Sequence, residues 1–239
     1  MSFKSLSLVA TAALALCAGS AQAANGFADG SFESGASVNG QFAAGWRGTN
    51  GPTPGNRTTD EAHTGLYSAV LRVLDPGFGG SGLAQNSVDD GGLLALDSSN
   101  WGTSPTLTFW VKGSASITGN LSYALRYLNA SGNILNPGTG ASQNIQNQVS
   151  TAGWNQITRS NLGPIPVGTT ALFFEMTLAT GPTGVTINPD LSVTDYGQAR
   201  VFVDDINLSV TAVPEPETYA MMLAGLGLVG SIIRRRRQA

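Results

Sequence analysis

The sequence predicts an all-β fold: an antiparallel β-sandwich, flanked by an N-terminal signal peptide and a single short C-terminal transmembrane helix. Three observations carry this. Several stretches of the middle alternate apolar and polar residues with period two, clusters of Gly, Pro and Asn separate them, and both ends are apolar runs of a different kind. The expected division is a signal peptide over 1–23, a sandwich domain over 25–212 and a terminal sorting segment over 213–239.

In chain order the expected strands are Thr64 to Leu74, Thr106 to Lys112, Leu121 to Leu128, Trp154 to Arg159, Ala171 to Leu178 and Arg200 to Val210. Turns are expected at Asn50 to Asn56, Asp75 to Gly82 and Asn129 to Gly140, where Gly, Pro and Asn supply the backbone angles that tight turns require. Leu93 to Asp97 reads as one turn of helix, and there is no internal repeat. Short strands joined by turns pair in antiparallel fashion, and their alternate side chains meet between two sheets.

The 239-residue chain has a formal charge of −3, but its ends distort that figure. Between Asn25 and Val213 there are 7 basic and 13 acidic residues, a net of −6. Such a body repels nucleic acid and anionic lipid, so neither is an expected partner. The only cysteine is Cys17, inside the leader, which leaves the body without disulfides or thiolate metal sites.

The leader combines Lys4, an apolar stretch from Leu6 to Cys17 and the small-x-small run Ala21-Gln22-Ala23. That pattern predicts cleavage by signal peptidase after export through the Sec machinery. Leu16 stands before Cys17 where lipoprotein processing needs a small residue. At the other end, the apolar run from Tyr219 to Ile233 would be about 22 Å long as a helix, against about 30 Å of hydrocarbon. It is marginal as a permanent span, and the Arg234, Arg235, Arg236, Arg237 block would hold its end in the cytoplasm. Gly225, Gly227 and Gly230 fit a dinucleotide fingerprint in spacing but lack the preceding strand and the downstream acid.

Val213-Pro214-Glu215-Pro216-Glu217, the Gly-rich apolar run and the Arg cluster together closely resemble the PEP-CTERM sorting signal of Gram-negative bacteria. The resemblance implies processing at the Pro-Glu-Pro element by an exosortase, a membrane cysteine protease and transpeptidase, in bacteria that make extracellular polysaccharide. The tail would then be a transient membrane tether, and the mature chain would reach the cell surface or the medium.

The body carries a second resemblance. Asn25 to Glu33 followed by Trp46, then Ala62-His63-Thr64-Gly65-Leu66-Tyr67-Ser68, then Leu107 to Gly113, then Gly153-Trp154-Asn155-Gln156-Ile157, then Val201-Phe202-Val203-Asp204-Asp205-Ile206 is similar in order to the carbohydrate-binding-module-like jelly rolls related to the galactose-binding-like fold. The resemblance implies a jelly-roll sandwich whose first and last strands run side by side, bringing Asp29, Glu33, Asp204 and Asp205 together. It also implies one structural Ca²⁺, completed by carbonyls of the His63 to Gly65 turn, since oxygen ligands suit that ion. Glu33 and Asp204 are the favoured pair. Alternation places Asp205 on the face of Val201 and Val203, and Asp204 on that of Phe202 and Ile206. Solvated aspartates at a strand end are the competing reading.

Catalysis is poorly provided for. His63 is the body's single histidine, read here as an exposed turn residue, and no G-x-S-x-G elbow exists. Carbohydrate binding needs exposed aromatic faces and hydroxyl-matching polar groups. Trp46, Trp110 and Trp154 are expected in the core. Tyr123 and Tyr127 on one strand face, with Trp101, Tyr196 and Arg126, are the expected sugar contacts. The expectation is an exported, non-enzymatic surface or extracellular-matrix protein associated with exopolysaccharide or biofilm. Its rivals are a spacer without a small ligand and, more remotely, a polysaccharide hydrolase or lyase.

Overall fold

A computed structural model describes residues 25–34, 42, 45–49, 54–73, 79–114, 120–180, 186–187, 193–195, 199–210, 223–227 and 234. The expected signal peptide, Tyr196, Pro214, Glu215, Pro216 and Arg235 to Arg237 lie outside them. Arg234 is exposed and helical, and a second described helical stretch covers 223–227. Among the described residues no helix is long and apolar enough to cross a membrane.

Strands β1 (Arg47–Thr49), β4 (Gly79–Asn86), β9 (Ala171–Thr180), β6 (Asn120–Leu128) and β7 (Gln143–Asn144) form one antiparallel sheet in the order β1-β4-β9-β6-β7. The second sheet has the order β2-β3-β12-β5-β8, from β2 (Asn56–Thr58), β3 (Ser68–Val73), β12 (Ala199–Ser209), β5 (Thr106–Gly113) and β8 (Asn155–Arg159). A small ribbon pairs β10 (Thr186–Ile187) with β11 (Val193–Asp195). All six expected strands are present within a few residues of their expected bounds.

Period-two alternation builds the core. In β5, Leu107, Phe109 and Val111 are buried, while Thr106, Thr108, Trp110 and Lys112 point the other way. In the facing sheet Leu121, Tyr123, Leu125 and Tyr127 of β6 lie opposite Leu178, Met176, Phe174 and Leu172 of β9, and all are buried. The Phe109 and Tyr123 rings meet edge to face across the sandwich, 5.5 Å apart. Each large apolar side chain so buried stabilises the fold by about 1.5–3 kcal/mol. The described core runs from Phe27 to Val210, so residues 25–210 carry their own folding unit.

The first segment runs along the last strand, as the jelly-roll resemblance implies. Gly26 N–H donates to the Leu208 carbonyl at 2.8 Å, and Ile206 N–H donates to the Gly30 carbonyl at 2.8 Å. The approach is so close that a Cβ at Gly30 would sit 1.9 Å from the Ile206 oxygen. Phe27 then stacks on Trp46 and meets Phe174 edge to face.

Three features differ from expectation. Leu93 to Asp97 forms no helix; Leu93 instead bridges Phe27. Gly79 to Gly82 is the start of β4, paired with β9 along its length and at Gly82 with β1 as well, not a turn. A Cβ on Gly55 would lie 2.5 Å from the Gly82 carbonyl, and Gly55 N–H donates to that same oxygen at 2.9 Å. Here glycine serves close backbone approach. Lastly, β12 has a register shift between Asp204 and Asn207, with Asp205 in the left-handed region at φ 49°. One extra residue there turns Ile206 inward, where it is fully buried, instead of leaving it on the face of Asp204.

Candidate functional site

The outer face of the second sheet carries a constellation of polar and aromatic groups. Trp110 projects from β5, opposite Asp204 in β12 and Gln156 in β8. The segment from Thr59 to Tyr67 folds over this face. His63 lies flat on Trp110, ring centroids 3.8 Å apart, and meets Trp154 edge-on at 5.7 Å. Its Nδ1 is 2.6 Å from Asp205 Oδ2. Glu61 pairs with Lys112 at 2.8 Å, and Asp60 approaches Arg200 at 3.5 Å.

These contacts correct three sequence expectations. His63 is only partly exposed and is held by an aromatic ring and a carboxylate. Trp110 and Trp154 lie partly exposed on the outer face, outside the core. Trp46, by contrast, is in the core as expected, 5% exposed, with its Nε1–H donating to the carbonyls of Ala28 and Asp29.

The four acidic residues expected to gather do converge, but on the protein's own N–H groups and, for Asp205, on the Thr64 hydroxyl and the His63 ring. Asp204 is fully buried; its Oδ2 accepts from the backbone N–H groups of His63 at 2.8 Å and Thr64 at 3.1 Å, and its Oδ1 from Asp205 at 2.7 Å. Burial pushes its pKa up to about 6 against those three hydrogen bonds, and the Asp205 charge adds to the rise. Asp205 accepts from the Thr64 hydroxyl at 2.7 Å through Oδ1. Glu33 Oε1 accepts from Leu66 and Tyr67 N–H, and Asp29 Oδ1 from Ser34 N–H.

This donor set does not fit the expected cation at Asp204. A Ca²⁺ ion needs oxygen lone pairs facing it, whereas the groups aimed at the Asp204 carboxylate are the positive ends of peptide dipoles. Among the described residues no group of three or more His, Cys, Asp or Glu side chains could hold a metal. The carboxylates instead fasten the 61–67 turn to β12 and to the N-terminal segment.

Beside this turn lies a cleft of about 580 Å³ whose lining includes Trp110, Thr108, Gln156, Asn207, Asp29 and Glu33. Its wall combines an indole with amide, hydroxyl and carboxylate groups. Sequence reasoning missed it, because it depends on the N-terminal segment, β5, β8 and β12 meeting across most of the chain.

The expected sugar contacts are placed differently. Tyr123 and Tyr127 are 2% and 1% exposed, because they occupy the inward-facing positions of β6, so neither offers a stacking face. Trp101 packs against the core and donates Nε1–H to the Thr169 carbonyl at 2.9 Å. Arg126 is on the opposite face of β6 from the tyrosines, 3.4 Å from Glu175 and over the Phe173 ring. A separate pocket of about 300 Å³ opens where β6 and β7 meet β8, lined by Tyr123, Gln143, Arg159 and Asn161 among others.

Residues 212–237 match the PEP-CTERM protein-sorting motif, which implies exosortase processing and export to the cell surface or beyond. No curated protein matches the sequence. Solved structures similar in fold include TmCBM61 in complex with β-1,4-galactotriose, at 16% identity and TM-score 0.47, over 79% of this chain and 99% of that one. The CBM22-1 xylan-binding domain from Paenibacillus barcinonensis Xyn10C is 14% identical, TM-score 0.45, over 77% and 93%. The enzymatically active domain of bacteriophage CBA120 tailspike protein 4 is 18% identical, TM-score 0.49, over 78% of this chain and 21% of that one.

Proposed function

We propose that this chain is an exosortase-processed bacterial surface or extracellular-matrix protein whose β-sandwich binds carbohydrate of an extracellular polysaccharide, without catalysis. The sorting motif at 212–237 supports the route. In this reading the leader passes the Sec machinery and signal peptidase, and the tail tethers the chain to the membrane only until it is sorted.

The binding half rests on the cleft beside Trp110. Sugars are held by aromatic groups against C–H groups and by amides, hydroxyls and carboxylates that match their hydroxyls, and that cleft is lined by such polar groups and by the indole of Trp110, one face of which His63 covers. Its carboxylates are already engaged as hydrogen-bond acceptors within the chain, an arrangement that braces the wall. A glycosidase instead needs an opposed acid and base. The one imidazole, His63, is likewise committed to Trp110 and Asp205.

The test is retention of residues 25–210 on immobilised bacterial exopolysaccharides, compared with the Gln156→Ala variant, whose altered side chain is exposed on β8. Retention by the wild type and weakened retention by the variant are expected. Absence of retention on every polysaccharide tried would remove the binding half and leave the spacer reading. Release of reducing ends or unsaturated products would overturn the non-catalytic assignment.

A further inference from the structure

The charge environment of Arg159 differs from that of most basic residues of the body. Arg47, Lys112, Arg126 and Arg200 each face a carboxylate, and Arg57 lies over the Tyr67 ring with its Nε–H on the Phe32 carbonyl. Arg159 donates only to neutral acceptors among the described residues: the Thr158 carbonyl at 3.0 Å and the Gln148 Oε1 at 2.9 Å. In a domain whose net charge is −6, no carboxylate among the described residues pairs with its positive charge.

That charge faces a pocket built for an anion. Among the described residues no acidic one lines the pocket; its walls are Tyr123, Gly138, Thr139, Gln143, Asn161 and Leu162, besides Arg159 itself. The Tyr123 side chain lines the same pocket, and a phenol can donate its proton to an acceptor there. Amide donors are available from Gln143 and Asn161, and a guanidinium matches the planar geometry of a carboxylate. The volume, about 300 Å³, is at the lower end for small-ligand sites and suits a single ring.

We infer that this edge pocket is a subsite for the carboxylate-bearing ring of an acidic polysaccharide, a uronic acid residue, with Arg159 and the Tyr123 hydroxyl holding the carboxylate. This rests on the carbohydrate-binding reading above and narrows it to acidic glycans.

The test is calorimetric titration of residues 25–210 with an oligouronide and with a neutral oligosaccharide of the same length at fixed ionic strength, plus inorganic sulfate as a third arm. The oligouronide is expected to bind at least tenfold more tightly than the neutral chain. Arg159→Gln should abolish that preference. Asn161→Asp should do so as well, by placing a negative charge on an exposed loop where folding is not at stake. Equal affinity for acidic and neutral chains, or a preference surviving in both variants, would overturn the uronate assignment while leaving neutral-sugar binding standing. Sulfate competing as well as the oligouronide would reduce the pocket to a general anion site. Failure of every sugar to bind would remove both readings together.

Discussion

His63 is stacked on Trp110 with ring planes 16° from parallel and centroids 3.8 Å apart. With Nδ1 fixed on Asp205, the imidazole joins three pieces of chain: the turn after β2, the centre of β5 and the bulge of β12. Stacking of this kind is worth about 0.5–1.5 kcal/mol, and a hydrogen bond to a charged partner about 1.5–3 kcal/mol. His63→Ala is therefore expected to lower unfolding free energy in urea by about 2 kcal/mol, with a change in tryptophan emission. His63→Phe keeps the stack and loses the bond, so it should recover part of that loss.

Asp204 makes stability depend on pH in an unusual direction for a carboxylate. Its folded pKa, about 6, lies above the ordinary value of 3.8. The folded state then binds the proton more tightly than the unfolded chain, so its contribution is fully present below about pH 4 and is lost as pH rises through about 6. Asp204→Asn removes the titration. It also turns an amide NH₂ toward backbone donors, since both Asp204 oxygens act as acceptors, at a cost of about 1–3 kcal/mol. The wild type should be more stable than the variant at pH 7, and the gap should widen on the order of 2 kcal/mol by pH 4. A gap that narrows toward acid would contradict this account.

Much of the sandwich was legible because β5, β6, β8, β9 and β12 each carry the alternation that a half-buried strand imposes. β4 was not, because Gly79, Gly80, Ser81 and Gly82 are turn-forming by composition, and the close approach of the strand's backbone that requires glycine at position 55 is a tertiary fact. The same limit applies to the site. Sequence order brought Glu33 and Asp204 near one turn correctly, yet it could not show that the turn's N–H groups point at both of them. The pairing of Tyr123 and Tyr127 on one face of β6 was also right. Alternation alone does not say which face is inside, and here Leu121 and Leu125 share the tyrosines' side.

Removal of divalent cations tests the reading of the acidic cluster. Any ion bound only by the native state would raise the melting temperature in proportion to its occupancy. Because the chain's own N–H groups engage Asp204 and Glu33, and the Thr64 hydroxyl and His63 ring engage Asp205, melting curves with excess calcium and with excess chelator are expected to coincide. A chelator-dependent fall would place a cation among Asp29, Glu33 and Asp205 and would require the 61–67 turn to rearrange.

Tyr127 separates a packing role from a binding role in one position. Its ring is among the largest fully buried side chains, and its hydroxyl is buried with no hydrogen-bond partner among the described residues. Burial alone pushes the phenol far above its usual titration range. An unpartnered buried hydroxyl costs about 1–3 kcal/mol, so Tyr127→Phe, which keeps the ring and removes the oxygen, should raise unfolding free energy by about 1 kcal/mol. Tyr127→Ala should lower it by about 3–5 kcal/mol through loss of the ring and the cavity left between the sheets. Neither change reaches the cleft beside Trp110, so Tyr127→Phe should retain polysaccharide as the wild type does. Loss of retention in the phenylalanine variant would return the hydroxyl to the binding surface and contradict its burial.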